Sequence, residues 1–213
     1  GQSRARFVQQ VKRRHAGDSE MHKTLAVIRE EHRALAGVLH GLQYLVDQIS
    51  AGKRPPDFAL LNAMVDYILA FPVRLHHPKE DQYLFSALRA KDSQIVQVLD
   101  ELEKEHATDR ELAHALQDAL QRYARARDEF QSFAAAVERY AVFQWAHMRK
   151  EEDLVLPAAE GALSASDWAT IDAAFESNRD PLVGVAVAEE FRELFQRIVS
   201  AAPAPIGTSR GAS

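Results

Sequence analysis

The sequence predicts an all-α protein: an up-down-up-down four-helix bundle followed by two additional C-terminal helices. Three observations lead there. The 213 residues include only 9 Gly and 8 Pro and are rich in Ala, Leu, Glu, Arg and Gln, which lose little in a helix. Apolar residues recur at alternating steps of three and four, the spacing of one helix face. Strong breakers fall in a few short places and leave stretches of about 30 residues, as in bundles with short loops.

Residues 1–19 form a basic segment without the apolar stretch of a signal peptide. A first helix is expected from about Ser19 to Ser50, with Leu25, Ile28, Leu35, Leu39, Leu42, Val46 and Ile49 on one stripe. His32 stands where that stripe calls for an apolar residue. Gly52 to Pro56 is a loop, and Asp57 is placed to cap a second helix to about Ala90. Its stripe runs Leu61, Met64, Ile68, then His76 and Glu80, then Leu84. Pro72 and Pro78 lie inside this stretch and predict a bend.

The third helix, from Asp92-Ser93 to about Tyr123, carries Leu99, Leu102, Ala113, Leu116 and Leu120, interrupted by His106 and Asp109. The fourth, from Asp128 to Leu156, is expected to stop at Pro157 and Gly161. Its stripe of Phe130, Phe133, Val137, Tyr140 and Leu154 is interrupted by Gln144, His147 and Glu151. The bundle is thus assigned to residues 20–160 and a helical extension to 161–200. Within the extension, Ser164 to Asp167 caps a helix to about Ser177, and an amphipathic helix spans about Gly184 to Val199. It is expected to pack on one side of the bundle, with a dimer contact as the alternative. Residues 201–213 are Pro-, Ala-, Ser- and Gly-rich and are expected to be disordered.

The composition narrows the function. The sequence contains no cysteine, which excludes thiolate zinc sites, iron–sulfur clusters and a Cys nucleophile. A net charge of −5 argues against nucleic acid or an anionic membrane as partner. No uninterrupted apolar run approaches the ~18 residues of a membrane helix. A soluble, cytoplasmic chain, monomeric or homodimeric, is the expectation. No phosphate loop or Ser-His-Asp ordering is present.

Each inward stripe turns polar in one stretch, and helix lengths test whether those stretches meet. His32 lies roughly 18 residues before its loop and His76 about 20 after it. His76 and His106 lie about 13 residues on either side of the second break, and His106 and His147 about 19 on either side of the third. Antiparallel neighbours then bring all four histidines to one level. The pairs His76/Glu80 and His147/Glu151 each place an imidazole and a carboxylate on one face, one turn apart. Two buried carboxylates among four imidazoles are best explained by a bound cation. Nitrogen and oxygen donors without sulfur suit iron, manganese or zinc. Two carboxylates can each bridge a pair of metals, leaving positions open for solvent and a small ligand.

The stretches Glu30–Leu42 (EEHRALAGVLHGL), Phe71–Phe85 (FPVRLHHPKEDQYLF), Leu102–Leu112 (LEKEHATDREL) and His147–Pro157 (HMRKEEDLVLP) resemble the hemerythrin-like, HHE cation-binding family. The resemblance covers about Met21 to Glu160. It implies a four-helix bundle with a non-haem centre of two iron ions, Fe2+/Fe3+, joined by an oxo or hydroxo bridge. The implied ligands are His32, His76, Glu80, His106, His147 and Glu151, with Glu80 and Glu151 bridging. Binding of O2, NO or peroxide in sensing, storage or redox protection follows, and peroxide- or NO-related redox turnover is its enzymatic form. An iron-storage or iron-sensing module without turnover, and a metal-free structural bundle, are the alternatives.

Respiratory hemerythrins supply two histidines four apart from the third helix. Here the residues four away from His106 are Leu102 and Arg110. The shortfall leaves a further open position, or a donor such as His77 or Glu103 fills it, and it points away from simple O2 carriage. His77 is expected on the outer side of its helix, paired with Asp81, so that its removal spares the centre. Tyr140 and Gln144 lie on the inner stripe, where a tyrosine filling core space is the simpler reading. His15, His22, His40 and His114 fall off the stripes and are expected at the surface.

Overall fold

The computed structural model describes residues 22–176, and every regular element among them is helical. Helix α1 spans Lys23–Ser50 and buries Leu25, Ile28, Leu35, Leu39 and Leu42, the face read from the sequence. Its first residue follows His22, which supplies no side-chain cap. The carboxylate of Asp172, from a later helix, accepts instead from the Thr24 N–H at 2.9 Å and from its hydroxyl at 2.6 Å. The helix ends before Gly52, whose φ of 65° is the left-handed conformation glycine adopts without a Cβ penalty.

The second helical run covers Phe58–Lys91. Asp57 caps it, accepting from the Leu60 N–H at 3.0 Å. After α2 (Phe58–Ala70) come a π-helical turn at Pro72–His76, a short α3 (His77–Lys79), a second π-helical turn at Glu80–Phe85, and α4 (Ser86–Lys91). Pro72 has no N–H to donate and its ring crowds the carbonyl four residues back. The backbone answers by widening: the His76 N–H reaches Phe71, five residues back, at 3.2 Å. The predicted bend is thus taken up as extra residues in the helix. This run is also long and apolar enough to cross a membrane, although charged residues interrupt it. With 56% of its apolar window buried inside the protein, it reads as the core helix of the bundle.

Helix α5 (Val96–Arg125) and α6 (Phe130–Lys150) are joined by a short 3-10 turn at Arg127–Glu129. A third π-helical turn follows at Glu151–Val155, and α7 continues over Leu156–Ala162. Pro157 therefore does not stop the helix as expected: it follows directly on the π-helical turn, where the widened backbone accommodates a residue with no N–H to donate. The π turn also overturns one core assignment. Leu154 is 45% exposed, and Val155 is buried in its place. One added residue per turn rotates all that follows off the α-helical stripe.

Helix α8 (Ala165–Glu176) begins with a reciprocal cap: Asp167 accepts from the Ser164 N–H at 2.9 Å, and the Ser164 hydroxyl accepts from the Asp167 N–H at 3.4 Å. Its Trp168, Ile171 and Phe175 are buried. The basic N-terminal segment, the Gly184–Val199 helix and the C-terminal tail lie outside the described residues.

The apolar interior falls into two clusters. One gathers Leu35, Leu39, Met64, Ile68, Leu116, Leu120, Phe133 and Val137. The other gathers Leu25, Ile28, Leu84, Phe85, Leu99, Leu102, Val155 and Trp168. Each fully buried leucine or phenylalanine contributes about 1.5–3 kcal/mol. Between the two clusters, along every long helical run, lie the histidines and glutamates singled out by the sequence.

Candidate metal centre

Those residues meet. His32, His76, Glu80, His106, His147 and Glu151 are each no more than 4% exposed. The i,i+4 spacing sets His76 Nε2 3.2 Å from Glu80 Oε1, and His147 Nε2 3.3 Å from Glu151 Oε1. Glu151 turns its second oxygen to His32 Nε2, at 3.2 Å. Glu80 turns its second oxygen to His106 Nε2, at 3.6 Å, and Glu151 Oε1 lies 3.5 Å from the same nitrogen. Each carboxylate therefore offers one oxygen to the His32/His76 side and the other to the His106/His147 side.

A second ring of carboxylates holds the imidazoles. His32 Nδ1 is 2.9 Å from Glu152, His76 Nδ1 2.6 Å from Glu31, His106 Nδ1 2.8 Å from Asp81 and His147 Nδ1 3.0 Å from Glu105. With each Nδ1 donating to its carboxylate, every Nε2 is left facing inward, where a cation that displaces its proton finds a lone pair. The sequence reading missed these partners, apart from giving Asp81 to the wrong histidine. A signal was present: Glu31, Asp81, Glu105 and Glu152 each stand next to a predicted ligand.

Inside this ring the polar atoms have no hydrogen-bond partner: the Nε2 of His32, His76, His106 and His147, and both oxygens of Glu80 and Glu151. A buried polar atom left unpaired costs about 1–3 kcal/mol, so such a convergence needs an occupant. Imidazole nitrogen and carboxylate oxygen fit a divalent cation of the iron, manganese or zinc type. The electrostatics agree. Burial depresses His32, but the Glu151 and Glu152 carboxylates beside it prevail and hold it at about 9. Burial likewise opposes His106, which Asp81 and Glu151 raise to about 10. Against its own desolvation, Glu151 is held well below the usual carboxylate range by His147, His106 and His32.

Two expectations are corrected. His77 is not on the outer side but 4% exposed, and its partner is not Asp81. Flanked by π-helical turns, His76 and His77 both point into the bundle, and Asp81 is taken by His106. His77 joins His106 and His147 in one group of converging donor atoms, while His32, His76, Glu80 and Glu151 form another. Glu103, the other extra candidate, is exposed and paired with Arg89 at 2.8 Å, away from the centre.

Tyr140 and Gln144 do more than fill space. The Gln144 amide donates to Asp109 and, at 2.9 Å, to the Tyr140 hydroxyl, all three groups being buried. Of the remaining histidines, His40 and His114 are exposed as expected, and His22 stacks on Trp168 at 4.2 Å. A surface cavity of about 340 Å3 is lined by His32, Arg33, Trp145, Met148, Arg149 and Glu152 among others, so one imidazole of the centre borders solvent-accessible space.

An all-helical fold around buried imidazole and carboxylate donors defines the class, a helical protein built to receive cations. Residues 23–159 match the family model described as the hemerythrin HHE cation-binding domain, and the chain belongs to that family. No curated protein and no solved structure matches it.

Proposed function

We propose that this is a non-haem di-iron protein that binds a small ligand, O2, NO or peroxide, at an open coordination position, in sensing, storage or redox protection. The ligands are His32, His76, Glu80, His106, His147 and Glu151. The observation that carries this reading is the divided orientation of Glu80 and Glu151, each with one oxygen toward either pair of histidines. Such carboxylates suit two ions better than one. The apolar clusters support an up-down-up-down course: α1 and α5 run from the second cluster to the first, and the other two long runs do the reverse.

When bound, the iron pair supplies redox capacity and Lewis-acid positions for a diatomic or peroxide. The chain does the rest. The outer carboxylates fix the tautomer and direction of each imidazole. The two apolar clusters exclude bulk water from both sides, and a surface cavity reaches the centre at the His32 imidazole alone among the six. Anaerobic iron titration followed by spectra with O2, NO and peroxide tests the proposal, with Glu151→Ala as control. Two ions per chain and a spectral response to at least one ligand are expected. Loading without any response would leave an iron store or iron sensor, and no loading would refute the metal centre.

A further inference from the structure

Resting on the di-metal reading, we propose that His77 is an additional metal donor positioned by Asp109, which makes the two metal positions unequal. A histidine that merely fills a core makes ordinary hydrogen bonds. The His77 Nδ1 makes none, and neither does the Asp109 oxygen 3.4 Å away, on a side chain that is 0% exposed. Two facing orphans in an interior are costly. The other four histidines show how the cost is relieved: Nδ1 on a carboxylate and the remaining nitrogen directed to the centre. His77 likewise sets its Nδ1 against a carboxylate, at the longer distance of 3.4 Å, and a nitrogen of its ring lies among the donors of His106 and His147.

Its surroundings agree. The His77 ring lies parallel to that of His106 at 4.1 Å and edge-on to His147 at 5.2 Å. A donor atom from each of the three lies within 4.8 Å of those of the other two. Three imidazoles brought this close converge on a space that one cation would fill. Asp109 is in turn held by the Gln144 amide, which also binds Tyr140, so the carboxylate facing His77 is fixed from a second helix. One position then has two imidazoles, His32 and His76, and the other three, His77, His106 and His147, with Glu80 and Glu151 shared.

The test is anaerobic titration of the metal-free protein with Co2+ against a competing chelator, reading stoichiometry and the visible spectrum of the bound ion. The wild type should bind two ions. His77→Ala should weaken one position at least tenfold and leave the other unchanged, and added imidazole should restore it. Asp109→Asn should weaken the same position by about tenfold and alter its spectrum, since partners of metal-bound histidines are worth that much. Should His77→Ala fail to fold, His77→Gln, which keeps a polar group in the space, should show the same selective loss. Two ions at wild-type affinity in the His77 variants would overturn this proposal and leave the di-metal reading standing. A wild type that binds no metal would overturn both.

Discussion

Each histidine of the centre has two nitrogens with different tasks, and the residue scale is where the site is decided. Glu31, Asp81, Glu105 and Glu152 hold the outer nitrogens, while Glu80 and Glu151 face the inner ones. Removing a carboxylate aimed at both sides should cost both ions, so Glu151→Ala should purify nearly metal-free by elemental analysis. His76→Ala should lose at least one ion. The convergence of the inner side chains was legible because each breaks an apolar stripe. The outer carboxylates stand beside them in sequence, but an acidic residue on the flank of a helix otherwise looks like any solvated charge. Only the pairing across helices distinguishes Glu31, 3% exposed, from its equally acidic neighbour Glu30, which is exposed.

Acid–base behaviour belongs to the same scale. In the metal-free protein His32 and His106 are raised from 6.5 to about 9 and about 10. A raised group binds its proton more tightly folded than unfolded, so its stabilisation is complete below about pH 6.5 and is lost as pH rises through 9 to 10. Metal must displace these protons, so it binds more tightly as pH rises. The gap in melting temperature between metal-loaded and metal-free protein should therefore widen from pH 6 to pH 9. Calorimetry at several pH values checks this, and a gap that narrows would count against the protonated layer.

At the scale of elements, the three π-helical turns mark where sequence periodicity stopped being a guide. Two of them begin at the inner carboxylates, Glu80 and Glu151. The steps of three and four read along an ideal helix put His77 outside and Leu154 inside, and both positions come out reversed. Proline at Pro72 announced a disturbance but not its form, because a missing N–H is met equally by a kink or by a wider turn. Helix capping offers an independent test. Asp172 supplies from α8 the cap that α1 lacks. Asp172→Ala should cost about 1–2 kcal/mol. That corresponds to a fall of about 2–8 °C in melting temperature, with metal content unchanged. Loss of metal in this variant would show that α8 supports the centre as well as the end of α1.

For the molecule as a whole, the polar layer divides one hydrophobic interior into two. Its imidazoles are held from outside by carboxylates, and its inward atoms would be held together by a bound cation. Binding to the folded state alone adds stability in proportion to the logarithm of free metal over its dissociation constant, about 2.7 kcal/mol at a hundredfold excess. Against a typical total of about 5–15 kcal/mol, metal bound to that extent would be a large part of the stability. The all-helical class and the common level of the four histidines were legible from breakers and helix lengths, because bundles are governed by local spacing.

The most direct test is the metal content of protein purified from iron-replete cells, measured per chain together with the identity of the metal. About two iron ions per chain are expected, with nearly none in Glu151→Ala. No metal, or a single zinc ion, would contradict the di-iron reading.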